Sequence, residues 1–253
     1  MIRKVVFIGA GNVATSLSKA LIDAGFEVAQ IFSRTKESAE ALAMYLKTSY
    51  TTEKNKIAEA DLYICSVKDD AIKDALSGIN FNNKIVVHTS GSSEMDILKP
   101  FTSHYGVLYP MQTFTIGKNV DWSQVPVFIE ANSSYTTNEL MLFAKAISSI
   151  VTEADSKRRK SLHIAAVLVC NFTNHLYAMA DRLLKENNLE FKTMLPLITE
   201  TVEKIKIISP KAAQTGPASR HDMKIVNDHL SLLSGNDHKI YELISKAIQD
   251  EQL

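Results

Sequence analysis

The sequence predicts an α/β protein: a doubly wound parallel sheet followed by a second, all-helical C-terminal domain. Three observations predict it. A glycine-rich turn joins an apolar strand to a helix within Lys4–Ala14. Strand-like apolar runs then alternate with helical patterns over residues 1–154, and from 155 to 253 every segment is helical in period. Strands that alternate with helices build a sheet covered on both faces, and helices that follow without strands build a layer of their own. The expected domains are therefore 1–154 and 155–253.

The first strand, Lys4-Val-Val-Phe-Ile8, runs into Gly9-Ala-Gly-Asn-Val-Ala14, a G-x-G-x-x-A pattern. Gly9 permits the tight strand-to-helix turn, Gly11 lets backbone approach a pyrophosphate, and Ala14 lets the helix pack close to the strand. The N–H groups of Asn12 and Val13, at the start of a helix expected over 12–24, would face the phosphate with the helix dipole behind them. The pattern in this context predicts a Rossmann-type dinucleotide site, the alternative being an ordinary glycine-rich turn of an α/β domain. The second strand, Glu27 to Ser33, follows Gly25, a helix stop. A site for NAD would place Asp or Glu at its end, but this chain has Ser33-Arg34-Thr35. With no carboxylate to repel a 2′-phosphate, and a guanidinium and two hydroxyls to bind one, the cofactor expected is NADP(H).

A helix is expected over 36–46, then a buried strand over Asp61–Val67 and a helix opening at Lys68. Lys84–His88 is the next strand and ends in the polar loop Thr89–Ser93. Two more short strands, 106–110 and 126–130, precede a helix over 137–150, with Thr136 and Glu139 as its capping box. The basic run Ser156–Lys160 reads as a hinge, followed by helices over 159–187, 191–208, 222–233 and 237–249. In open α/β sheets ligands lie beyond the carboxyl ends of the strands. That places Ser66, Val67 and Ser90 beside the nicotinamide half of the cofactor, with local backbone capping as the alternative for the two hydroxyls.

Three residues qualify for chemistry. His163, Val167, Asn171 and Asn174 follow i, i+4, i+8, i+11 and share one face of an α-helix. His163 then suits a proton donor to a carbonyl or imine, and Asn171 suits orientation of a substrate or of its developing oxyanion. Arg220 lies near the N-terminus of the helix capped by Asp222, where an anionic group would sit, unless it pairs with Asp222 itself.

Composition narrows the classes. The formal charge is zero, from 28 basic and 28 acidic residues, which gives no nucleic-acid footprint. No apolar stretch is long enough to span a bilayer, and Met1-Ile-Arg-Lys4 leads directly into the first strand, so the expected location is cytoplasmic. Cys65 and Cys170 sit in apolar runs as reduced thiols, and the seven histidines show no metal-ligand spacing.

The motifs K-V-V-F-I-G-A-G-N-V-A, F-S-R-T, D-L-Y-I-C-S-V-K-D-D-A-I, H-T-S-G, Y-P-M-Q-T-F, H-I-A-A-V-L-V-C-N-F and T-G-P-A-S-R-H-D occur in that order. Over essentially its whole length the chain resembles a bacterial family of two-domain NADP oxidoreductases, with a Rossmann-like domain before a helical domain of unknown function. More distantly, its N-terminal half is similar to pyrroline-5-carboxylate reductases, deazaflavin-coenzyme-dependent NADP oxidoreductases and β-hydroxyacid dehydrogenases. The resemblance implies hydride transfer, and dimers formed through the helical domain. It places His163, Asn171 and Arg220 at recurrent polar positions. Two residues depart from the family pattern: Tyr109 stands where the family has His, and His221 where it has Gly. The β-hydroxyacid dehydrogenases use a lysine on the long helix, for which this chain offers only Lys160 and His163, so that mechanism does not transfer. The reading that follows is an NADP-dependent oxidoreductase acting on a small carbonyl, imine or hydroxy compound, with the substrate between the domains of a homodimer. The alternative is an NADP(H)-binding sensor without turnover.

Overall fold

The computed structural model describes residues 1–252 and divides into two compact units, 1–170 and 171–253. The first is built on eight strands: β1 (Lys4–Ile8), β2 (Glu27–Phe32), β3 (Ser49–Thr51), β4 (Leu62–Cys65), β5 (Ile85–His88), β6 (Tyr105–Pro110), β7 (Val127–Ala131) and β8 (Val151–Glu153). Their order in the sheet is β3-β2-β1-β4-β5-β6-β7-β8. The first six are parallel, β7 runs antiparallel to β6, and β8 is parallel to β7. The order reverses beside β1, which is the topological switch point where such sheets bind ligands.

Alternation along each strand feeds two cores, because successive side chains point to opposite faces. Val5 and Phe7 pack on one face with helices α1 (Asn12–Asp23), α2 (Lys36–Leu46) and α4 (Ser134–Lys145). Val6 and Ile8 pack on the other with α3 (Ile72–Leu76) and Phe81. Gly25, at φ +89°, ends α1 in left-handed backbone, as expected of a helix-stop glycine.

Several expected bounds shift for identifiable reasons. The helix expected over 137–150 is α4, which starts earlier because Ser133 is the cap: its Oγ accepts from the Thr136 N–H at 3.2 Å. Glu139, expected in a capping box, instead pairs with the N-terminal amine of Met1 at 3.1 Å. The segment after Lys68 opens as a 3-10 turn, Asp69–Ala71, before α3. The basic run at 156–160, expected as a hinge, is helical and lies inside the first unit: Asp155 accepts from the Arg158 N–H at 2.8 Å and caps α5 (Ser156–Ala166).

Residues Val167–Phe172 are π-helical, so the even 3.6-residue period assumed for the 163–174 stripe is interrupted there. The helical unit holds α6 (Thr173–Glu186), α7 (Leu195–Ile207), α8 (Pro210–Ala213), α9 (Met223–Leu232) and α10 (Gly235–Gln252). Asp222 caps α9 through the Ile225 N–H at 3.3 Å, and Arg182 of α6 pairs with Asp237 of α10 at 2.9 Å. No helix among the described residues is long and apolar enough to cross a membrane.

Candidate active site

The turn from β1 to α1 uses its two glycines for different reasons. Gly9 sits at φ +115°, and a Cβ there would lie 2.5 Å from the Ser66 carbonyl oxygen. Backbone angle and the neighbouring strand end both demand glycine. Gly11 caps α1 at φ −87°, and a Cβ there would meet nothing within 4 Å. The fold does not need that glycine; it keeps open the space in front of the helix. The Asn12, Val13 and Ala14 N–H groups lie in the first turn, where no intrahelical acceptor exists. Ala14 is fully buried, as close packing of α1 on the sheet requires.

That open space belongs to a cleft of about 320 Å³. Gly9, Gly11, Ser33, Arg34, Thr35, Ser66 and Val67 all line it. Two cations, Arg34 and Lys68, line it and no carboxylate does, so it favours anions. The Ser66 hydroxyl is buried without a hydrogen-bond partner. Buried polar groups are nearly always paired, so an orphan on a cleft wall points to a ligand atom as its partner. Cradle, charge and orphan hydroxyl together fit a dinucleotide.

Three other residues expected at the cofactor are placed differently. The Asn12 amide donates to the Phe114 carbonyl at 2.8 Å, and Val13 packs on the apolar core, so each has only its backbone to offer the cleft. The Ser90 hydroxyl is already committed. It donates to Asp69 Oδ2 at 2.8 Å and accepts from the Ser92 and Ser93 N–H groups at 3.0 and 2.9 Å. Its side chain shapes the 88–93 loop rather than reaching for a ligand.

This loop is part of a platform that carries His163. His88, fully buried, accepts from the Ser90 N–H through Nδ1 at 3.1 Å. Its Nε2 lies 3.3 Å from the Glu94 carbonyl, to which it donates in that tautomer. Burial and the nearby Arg159 charge pull its pKa down to about 4. Arg159 of α5, also fully buried, donates to the carbonyls of Ser90 and Ser93 and pairs with Glu130 of β7. One helical turn later, His163 lies against Gly91, where a Cβ would be 2.6 Å from the ring Nδ1. His163 Nδ1 is 3.0 Å from the Tyr109 hydroxyl on β6. Burial raises the Tyr109 pKa, against a smaller opposing pull from Arg159. Arg159 and Gly91 were not among the residues singled out from sequence, and Tyr109 stood out only as a departure from the family pattern, with no role attached to it. Arg159 hides in a run of surface-like cations, although its i, i+4 spacing to His163 places both on one face.

The other two candidates belong to the helical unit. Asn171 is exposed at its start, and Arg220 is exposed in the 3-10 turn Ala218–Arg220. Asp222 is occupied in capping α9, and Arg220 has no carboxylate partner among the described residues.

The sheet order and the cleft at its switch point define the class: a Rossmann-like nucleotide-binding protein. Residues 4–91 match a family described as NADP oxidoreductase coenzyme F420-dependent, and residues 125–248 match a domain of unknown function, DUF2520. The crystal structure of BF3122 from Bacteroides fragilis, which carries an NADP oxidoreductase assignment, is 44% identical, with 98% of each chain covered and a TM-score of 0.92. The chain belongs to this two-domain family of NADP oxidoreductases. Pyrroline-5-carboxylate reductase of Streptococcus pyogenes shares the fold at 16% identity, with 98% of this chain and 97% of that one covered and a TM-score of 0.64. A glutamyl-tRNA reductase of Methanococcus maripaludis is 32% identical over 98 residues, which is 37% of this chain. The aligned part spans about a quarter of that relative (26%).

Proposed function

We propose that the chain is an NADPH-dependent reductase of a small carbonyl or imine compound, running in reverse on the hydroxy or amino product. The observation that carries the reading is the cleft, with an unneeded glycine, an orphan hydroxyl, two cations and no carboxylate. When bound, NADPH supplies a hydride. Gly9 and Gly11, with the N–H groups of Asn12 and Val13, receive the pyrophosphate. Arg34, between Ser33 and Thr35, binds the 2′-phosphate, with Lys68 adding charge on the same cleft. Ser66 and Val67 hold the nicotinamide half, and Ser90 acts there only through the loop it braces.

His163 serves as donor to the oxygen or nitrogen that gains charge during reduction, in keeping with its unpartnered Nε2. Asn171 is available to orient the substrate, and the unpaired Arg220 to hold an anionic group on it. An imine is the substrate named for the pyrroline-5-carboxylate reductase that shares this fold. We also propose that two copies pair through the helical unit, whose exposed apolar side chains need a cover.

Fluorescence titration of the full chain with NADPH and NADH tests the cofactor reading. NADPH should bind more tightly, and Arg34→Ala should weaken NADPH about tenfold or more, roughly 1.4 kcal/mol, with little change for NADH. Equal affinities in the wild type would remove the 2′-phosphate argument, and no binding of either would end the reductase reading.

A further inference from the structure

We propose that Tyr109 is the positioning residue for His163: its hydroxyl donates to Nδ1 and so fixes the imidazole as the tautomer that carries its proton on Nε2. The inference deepens the reductase reading and rests on it. Tyr109 Oη and His163 Nδ1 are 3.0 Å apart, with the two rings edge to face at 5.9 Å and 74°. Neither atom has a second hydrogen-bond partner among the described residues.

Two arrangements fit that distance. The phenol can donate to a bare Nδ1, or an Nδ1–H can donate to the phenol oxygen. The second would leave the phenolic hydrogen without a protein acceptor among the described residues, on a residue only 7% exposed. Leaving a buried donor unmade is the costlier outcome, so the phenol donates. Burial holds the phenol in its protonated form, which keeps that donor present. The tautomer of a neutral histidine follows from the bond that its other nitrogen makes. With Nδ1 taken, the ring proton sits on Nε2.

Gly91 completes the device. It lies against the Nδ1–Cγ part of the ring, with room for no Cβ, so Nδ1 is approached both by the Tyr109 hydroxyl and by the 88–93 loop. The charged group on the same face of α5, Arg159, is neutralised by Glu130 and spent on the carbonyls of Ser90 and Ser93. Nε2 is the one ring nitrogen left to meet a ligand. It meets it as a donor, the polarity needed by a carbonyl oxygen or imine nitrogen that gains negative charge.

The test is the tautomer itself. The full chain is labelled with 15N-histidine and long-range proton–nitrogen spectra are recorded at mildly alkaline pH, where an ordinary imidazole is neutral. The His163 signals are identified by their loss in His163→Asn. The wild type should show a bare Nδ1 and a protonated Nε2. Tyr109→Phe should lose that preference while NADPH affinity and Tm stay near wild type. Gly91→Ala, which pushes a methyl into the ring, should lose it too with the tyrosine intact. A wild-type ring protonated on Nδ1 would overturn the proposal, as would an unchanged preference in Tyr109→Phe. Failure of the wild type to bind NADPH, with the tautomer as stated, would overturn the reductase reading and the role given to the pair, and would leave the tautomer assignment standing.

Discussion

Single residues in the β1–α1 turn separate what the fold needs from what a ligand needs. Gly9→Ala places a Cβ where the backbone angle is φ +115° and where the Ser66 carbonyl oxygen is 2.5 Å away. Strain of that kind costs on the order of 1–3 kcal/mol, before any shift of β4 is added. Gly11→Ala meets no protein atom within 4 Å and sits at an ordinary backbone angle. Its cost is that of a poorer helix cap, less than about 1 kcal/mol. Urea unfolding should therefore separate the two, with Gly9→Ala clearly destabilised and Gly11→Ala close to wild type. NADPH titration should find Gly11→Ala at least about tenfold weaker, because its methyl occupies the space a pyrophosphate needs. A Gly11→Ala protein that binds NADPH normally would mean that the open space serves no phosphate. The two roles were legible in the sequence because both belong to one local motif. What the sequence did not reveal is that the close approach at Gly9 is to Ser66, far along the chain, since that contact exists only once β1 and β4 pair.

At the scale of elements, the 88–93 loop and α5 form one unit through buried polar groups. Within this unit His88 has a shifted pKa. Its folded pKa, about 4, lies below the ordinary 6.5 because burial and Arg159 both disfavour a second positive charge. The unfolded chain thus takes up the proton first. Stability from this site is complete above pH 6.5 and is lost as pH falls through 4. The full difference is roughly 3 kcal/mol at 1.36 kcal/mol per unit. Denaturant unfolding across that interval should show the slope, and His88→Asn should flatten it. An identical slope in the variant would place the acid sensitivity elsewhere. None of this platform was visible as such in the sequence. Its bonds join Ser90 to Arg159 across 69 residues and Tyr109 to His163 across 54. Pattern and spacing report on neighbours along an element, and they do not report which loop a helix will lie upon. The missed strands β3 and β8 have a different cause: three residues each, at the sheet edges, are too few to show a period of two. The longer strands and the G-x-G-x-x-A turn were legible because their signal is local and dense.

At the scale of the whole chain, the two units differ in how far they bury their apolar side chains. The sheet-bearing unit closes two cores on its own. In the helical unit, Ala218, Val226 and Ser245 are the buried residues among those described. Ile207 is 84% exposed, Leu232 77%, Leu243 70% and Leu197 64%. Isolated exposed leucines are ordinary, but so many on one helical unit are what an interface without its partner would leave exposed. Amphipathic helices gain most of their stability from packing an apolar face, so these faces call for a partner surface of the same kind. A second copy of the chain would supply that surface with no further component, since most soluble oligomers are built from identical chains. Light scattering should therefore return about twice the 28.1 kDa of one chain at micromolar concentration. Because association stabilises only the folded chain, Tm should also rise with protein concentration. A monomer whose Tm is independent of concentration would show that the helical faces are not closed by self-association. The proposed pairing would then fall, while the cofactor cleft, built wholly from the sheet-bearing unit, would be untouched.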